Sequence, residues 1–318
     1  LRLLNVMCRW QCPAATDIRR TPLGDLNELH RNFKLRTTTN MPRYPFETLD
    51  VFTDRAFAGN PLAVLGDARG LSTADMQRIA HEFNLSESTF VLPPEDSGNT
   101  ARVRIFTPTY EMPFAGHPTI GTAIAIARAR DLKGELRLEL NTGVFPVRVD
   151  LNGRVPFAEF RNPNLPTETG DAPDASMLER ALSLAAGSID RGAARPRRVG
   201  AGVDYMFAKA PLAAVQSAKF NSSAFEKLQL DETVGVALLS LGSVNGDATY
   251  HVRMFAPGAG GPEDPATGSA AAALPGYIAL CQSFADGRHQ WVVEQGIEMG
   301  RPSRIQVTVE LAQGAVLS

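Results

Sequence analysis

The sequence predicts an α+β fold of two pseudo-symmetric domains, and three observations predict it. Strand patterns outnumber helix patterns, without the regular strand–helix–strand alternation that builds a parallel doubly wound sheet. A block of ordered residues in the first half recurs in the second. The chain has 318 residues, room for two domains of ordinary size.

The elements follow from local patterns. Residues 1–40 stand apart, with seven Arg/Lys (Arg2, Arg9, Arg19, Arg20, Arg31, Lys34, Arg36) against three acids (Asp17, Asp25, Glu28) and poor hydrophobic periodicity. Transit peptides are Ser-rich and acid-poor, and this segment has no Ser. It is expected to be an unstructured extension, or translated sequence upstream of a start at Met41. The expected domains are then 41–158 with 303–318, and 159–302. Residues 46–52 mix β-branched, aromatic and alternating apolar residues and read as a strand. Gly59, Asn60 and Pro61 turn into a second strand at 62–65. A helix is predicted over 71–83, capped by Ser72 with Asp75 in its first turn; Met76, Ile79, Ala80 and Phe83 share its apolar face. Strands at 89–92 and 101–106 precede a helix at 119–130, and 136–140 with 144–149 form a hairpin across Thr142 and Gly143. In the second half, strands are predicted near 157–160, 197–208, 234–240 and 248–255, with closing strands at 291–295 and 304–310. Helices are predicted at 175–185, 222–228 and 268–279.

Composition excludes several function classes. The chain is 44% hydrophobic and 21% charged, with a net charge of -2. No basic excess is present to neutralise phosphates, so nucleic acid is not an expected partner. Cys8, Cys12 and Cys281 are too few and too scattered for a disulfide framework or a zinc site. No apolar run is long enough to span a bilayer, so the expectation is a cytoplasmic protein without a membrane partner. Dinucleotide, Walker, zinc-protease and nucleophile-elbow motifs are absent.

The internal repeat is the strongest signal. Val103, Arg104, Phe106 and Pro108 precede His117, Pro118, Gly121 and Ala123; Val252, Arg253, Phe255 and Pro257 precede Asp264, Pro265, Gly268 and Ala270. Each copy reads as a strand, a short loop and a helix N-terminus, with Pro118 and Pro265 at first-turn positions. Gly121 and Gly268 permit close approach to the backbone. Two helix N-termini facing one cleft would bind a carboxylate through free N–H groups and the positive ends of two dipoles.

Each chemical candidate has a structural alternative. Glu87, between the first helix and an apolar strand, is either an ordinary surface acid or a carboxylate at a cleft edge, where burial would raise its pKa for acid–base work. His117 either relays a proton or is structural. Asp264 either pairs with a substrate amine or hydroxyl or caps its helix. Ser269 could hold a carboxylate oxygen, and Asn60 either binds substrate or shapes its turn.

The motifs at 59–61, 84–90, 114–119, 263–270, 294–296 and 298–303 together resemble the PhzF family of phenazine biosynthesis, over about residues 44–312. That family shares its fold with diaminopimelate epimerase. The resemblance implies two domains, each a mostly antiparallel sheet wrapped around a central helix, with the active site between them. It implies a cofactor-independent isomerase, without metal, acting on a small carboxylate-bearing substrate, in a chain that forms homodimers. Glu87, His117 and Asp264 match the catalytic positions; Asn60, Gly116, Gly268 and Ser269 match substrate-binding positions. The family's best-known member isomerises trans-2,3-dihydro-3-hydroxyanthranilate. The epimerase branch uses a thiol before each central helix, and no Cys stands near 114–122 or 262–270 here, so a two-thiol racemase is ruled out. Pro275 departs from the family's pattern and should kink the second central helix. The alternative reading is a catalytically silent small-molecule-binding protein on the same scaffold.

Overall fold

The computed structural model describes residues 43–231, 234–257 and 261–317, and the backbone of two short strands, Arg2–Val6 (β1) and Cys8–Trp10 (β2). The rest of segment 1–40, and the start at Met41, lie outside the described residues. β1 pairs antiparallel with residues 157–161 and 306–308, and β2 with 48–50.

The two halves share one pairing pattern. In the first, Phe46–Val51 (β3) is antiparallel to Asn60–Leu65 (β4), which runs parallel to Glu87–Leu92 (β5). β5 is antiparallel to Ala101–Phe106 (β6), and the two-residue strand Glu111–Met112 (β7) folds back on β6. β6 is parallel to Gly134–Leu140 (β8), and β8 is antiparallel to Gly143–Asp150 (β9), against which Phe157–Arg161 (β10) is laid. The second half begins at Thr167–Gly170 (β11), antiparallel to Arg197–Gly200 (β12). From β12 the sequence of senses repeats through Asp204–Lys209 (β13), Gly235–Leu241 (β14), Tyr250–Phe255 (β15), Gly287–Gln295 (β16) and Ser303–Ala312 (β17): antiparallel, parallel, antiparallel, parallel, antiparallel. Ala315–Val316 (β18) turns back on β17. Antiparallel pairings dominate, as the sequence pattern requires, and the architecture is α+β in two domains.

The helices are Thr73–Phe83 (α1), Gly116–Arg130 (α2), Ala175–Ala181 (α3), Leu212–Ser217 (α4), Ser222–Phe225 (α5) and Gly268–Cys281 (α6). α1 carries the expected capping box: Ser72 accepts from the Asp75 amide while Asp75 accepts from Ser72. α2 and α6 are the central helices. Every residue of α2 from Gly116 to Ala127 is buried, and so is nearly all of α6 from Gly268 to Ile278. A helix apolar on all sides belongs inside a sheet, not on its surface. α2 lies against β3, β4, β5, β8, β9 and β10, and α6 against β11, β12, β13, β17 and β18. Ile120 and Ile124 are fully buried in α2, and each such side chain contributes about 1.5–3 kcal/mol.

The repeated Arg and Phe have one job in both halves. Arg104 makes a bidentate pair with Glu111 (2.8 and 2.5 Å), and Arg253 makes the same pair with Glu263 (2.8 and 2.7 Å). Each guanidinium also lies over the next ring, Phe106 at 5.1 Å and Phe255 at 5.0 Å. The pair ties each repeat strand to the loop that opens its central helix.

Several element boundaries differ from the sequence reading. The strand expected over 197–208 is the hairpin β12–β13, turned at Gly202 with φ +102°. β17 pairs with β16 and lies against α6. α2 starts at Gly116 rather than 119, so His117 is inside the helix; α6 starts at Gly268, leaving Pro265 in the loop before it. α4 and β11 had no clear signal, being short and polar or mixed. α6 runs through Pro275 to the half-buried Cys281. Among the described residues no helix is long and apolar enough to cross a membrane.

Candidate active site

The two central helices meet end to end. A Cβ built on Gly116 would lie 3.2 Å from the backbone of Gly268 and Ser269. One built on Gly268 would lie 2.9 Å from the ring of Phe52. Only glycine lets these openings approach so closely. Neither helix has a side-chain cap at its N-cap residue, Ala115 or Thr267. First-turn N–H groups of both helices therefore have no side-chain cap, and both dipoles present their positive ends to one place.

That place borders a cavity of about 420 Å³. Glu87, His117, Tyr205, Asp264, Thr267 and Ser269 supply its polar wall; Met112, Phe114, Val203, Val234 and Met254 supply the apolar one. Arg198 and Asp204, bonded to each other at 2.9 Å, also line it.

Glu87 opens β5, and it is deeper than a cleft-edge position, with 8% of its surface exposed. Its Oε2 is 3.3 Å from Nε2 of His117. That approach is within ion-pair range, but neither atom has a hydrogen bond of good geometry. Burial first, and the nearby Asp264 charge second, push the Glu87 carboxyl well above the usual glutamate range. Asp264 is also pushed up by burial, but donors oppose the shift: Thr267 Oγ1 at 2.5 Å, Asn60 Nδ2 at 2.9 Å, and Ser86. Of two neighbouring carboxylates, one is surrounded by donors and the other has none. Of the two, the donor-poor Glu87 is the better place for a proton and the donor-rich Asp264 the better place for a charge.

His117 is 4% exposed, and burial brings its pKa down to about 3, so its ring is neutral at physiological pH. Because the folded value lies below the unfolded 6.5, stability from this group is complete above pH 6.5 and falls as pH drops toward 3. Between pH 7 and pH 4 the protein is expected to lose about 3 kcal/mol relative to a His117→Asn variant. Urea midpoints of the two proteins at both pH values measure it. Parallel pH dependence would contradict a buried neutral ring.

The structure brings Glu87, His117, Asp264, Gly116, Gly268 and Ser269 to one cavity. Asn60 is not among its lining residues. It is fully buried and donates to Asp264 and to the carbonyl of Ala266, both at 2.9 Å. Asp264 does not cap α6; Thr267 holds the N-cap position. Sequence reasoning missed Tyr205, whose hydroxyl is 2.6 Å from Ser269 Oγ and whose phenol burial pushes up. The pairing registers hold the signal. Leu62 faces Glu87 across β4–β5, and Tyr205 faces Gly235 across β13–β14. Glu87 and Gly235 each immediately precede the residue opposite Phe106 or Phe255 of the repeat. The first half thus supplies the acid where the second has glycine, and the second supplies the tyrosine where the first has leucine. Among the described residues no group of three or more His, Cys, Asp and Glu side chains is arranged to hold a metal ion.

Comparison with known proteins gives a consistent result. The family model for phenazine biosynthesis-like proteins, PhzC-PhzF, matches residues 49–316. An uncharacterised isomerase of Mesorhizobium japonicum is 42% identical, over 85% of this chain and 91% of its own. The trans-2,3-dihydro-3-hydroxyanthranilate isomerase of Pseudomonas aeruginosa is 37% identical over 83% of this chain and 90% of its own. The crystal structure of a Bacillus anthracis PhzF-family phenazine biosynthesis protein superposes with a TM-score of 0.75 at 27% identity, covering 86% of this chain and 92% of that one.

Proposed function

This chain belongs to the phenazine biosynthesis-like PhzC-PhzF family, and from that premise we propose that it is an isomerase that moves a proton within a small carboxylate-bearing substrate. One observation carries the reading. A buried carboxyl without donors, Glu87, shares a cavity with a donor-rich carboxylate, Asp264, and with two uncapped helix N-termini. The helix ends and Ser269 hold the substrate carboxylate. Asp264 accepts a hydrogen bond from a substrate amine or hydroxyl. Neutral His117 lies against Glu87 and orients it.

Glu87 carries the proton. In the resting site it is protonated. It gives that proton to one substrate carbon and, as the resulting carboxylate, removes a proton from another carbon. The carboxyl is regenerated, and the product is an isomer of the substrate. General acid–base work of this kind contributes typically 10²–10⁴-fold. Gly235 at the matching place in the other half supports a single acid/base rather than one on each face. The cavity's size and its apolar wall suit a cyclic amino or hydroxy acid, such as the substrate named for the Pseudomonas relative.

A screen of small cyclic and acyclic amino and hydroxy acids by thermal shift, followed by proton NMR of each hit with the protein in heavy water, tests this. Deuterium incorporation at carbon together with isomer formation is expected. Binding without exchange for every hit would instead make the chain a silent binding protein.

A further inference from the structure

We infer that Asn60, in the first half, is a positioning residue for Asp264, in the second: its amide fixes the orientation and charge of that carboxylate, so Asp264 is competent only when the halves are closed on one another. The inference rests on the role proposed for Asp264 above. Asn60 reaches across the boundary and donates one amide to two acceptors, Asp264 Oδ1 and the Ala266 carbonyl, both at 2.9 Å. It has no exposed surface and does not line the cavity, so it reaches the site through its two acceptors, of which Asp264 alone lines the cavity. Its own Oδ1 has no hydrogen-bond partner in the protein. The amide nitrogen is therefore the working end. A residue needed only to pin two loops together gains nothing by placing its donor on the carboxylate oxygen of a site residue.

Both flanks are built to hold that amide in place. Gly59 has φ +63°, and a Cβ there would lie 2.2 Å from the Val51 carbonyl oxygen. Arg301, from the second half, donates to the Gly59 carbonyl at 2.8 Å, to the Ala58 carbonyl at 3.0 Å and to Asp50 at 2.6 Å. The Gly59 amide returns a bond to the Pro302 carbonyl at 3.1 Å. Gln295 completes the cage from the other side, donating to the Asp264 carbonyl at 2.7 Å and to Thr267 Oγ1 at 3.0 Å. Thr267 then donates to Asp264 Oδ2 at 2.5 Å. The motif at 59–61 and the motif at 294–303, which contact no substrate in the proposed reaction, thus converge on one carboxylate.

The titratable groups around Asp264 are Glu87 on β5, His117 on α2, Tyr205 on β13 and Glu263 on its own loop, with Tyr110 and the Arg198–Asp204 pair on the same cavity wall. Arg198 is the one cation among them, and its guanidinium is bonded to Asp204. Asn60, Thr267 and Ser86 stabilise the negative charge of Asp264. Removing the Asn60 donor should therefore raise the pH at which Asp264 ionises.

The test is the carboxyl-carbon NMR titration of Asp264, assigned by its loss in Asp264→Asn, in the parent and in Asn60→Ser. The Asn60→Ser titration is expected to move up by about one pH unit or more. In kinetics, kcat/KM should fall at least about tenfold, because the orientation and charge of the group that accepts from the substrate both change. If Asn60→Ser does not fold, the near-isosteric Asn60→Leu, which has no donor, carries the same test with the same upward direction. A titration superimposable on the parent's overturns the inference. The NMR arm reads Asp264 whether or not the protein turns over, so a failed isomerase assay and a failed positioning role are separate results.

Discussion

Glu87→Gln is expected to lower kcat by at least about 10³-fold while leaving ligand affinity within a few-fold of the parent. The amide keeps the shape of the protonated acid that burial imposes, so the cavity and its contacts survive. It has no proton to give and cannot become the carboxylate that takes one back. Stability gives a second readout with a definite sign. The folded pKa of Glu87 is raised, so its stability contribution is complete below the unfolded value near 4.5 and is lost as pH rises through the folded value. The glutamine does not ionise. The variant should therefore match the parent near pH 4 and exceed it increasingly at higher pH. Kinetics with denaturation at several pH values check both parts. A variant that retains turnover, or one whose stability follows the parent at every pH, would contradict the assignment.

Asp264→Asn is expected to lower kcat/KM by about 10²–10³-fold, the scale of removing one preorganised polar contact from an active site. The asparagine is nearly isosteric but lacks the charge that accepts from a substrate amine or hydroxyl. It also removes a like charge beside Glu87. That charge raises the Glu87 pKa, so its loss lowers it, while burial still holds it above the usual range. The alkaline limb of the kcat/KM profile, where the resting acid loses its proton, should move to lower pH. A limb that stays in place or moves up would mean that Asp264 carries no charge in the parent.

Much of the fold was legible because its signals are local. Ser72 and Asp75 form the capping box their spacing implies, and the alternation at 101–106 is the strand β6. The duplication was legible because Val103, Arg104 and Phe106 recur as Val252, Arg253 and Phe255, and both copies build the same ion pair. What the sequence hid is non-local. Helix α2 begins at Gly116 because that glycine packs on Gly268 of the other half, a contact no window of neighbours reports. By sequence Asn60 is a turn or substrate residue, because nothing near it in the chain names Asp264 as its partner. Tyr205 emerges only when the registers of β4–β5 and β13–β14 are compared.

The proposed chemistry requires that Glu87, buried beside Asp264, hold a proton at neutral pH. Difference infrared spectroscopy of the carboxyl stretch, parent minus Glu87→Gln, measures this directly. The C=O band of a protonated acid is expected at pH 7, persisting well above the ordinary glutamate range. An ionised carboxylate at pH 7, titrating near 4.5 like a solvated glutamate, would contradict it.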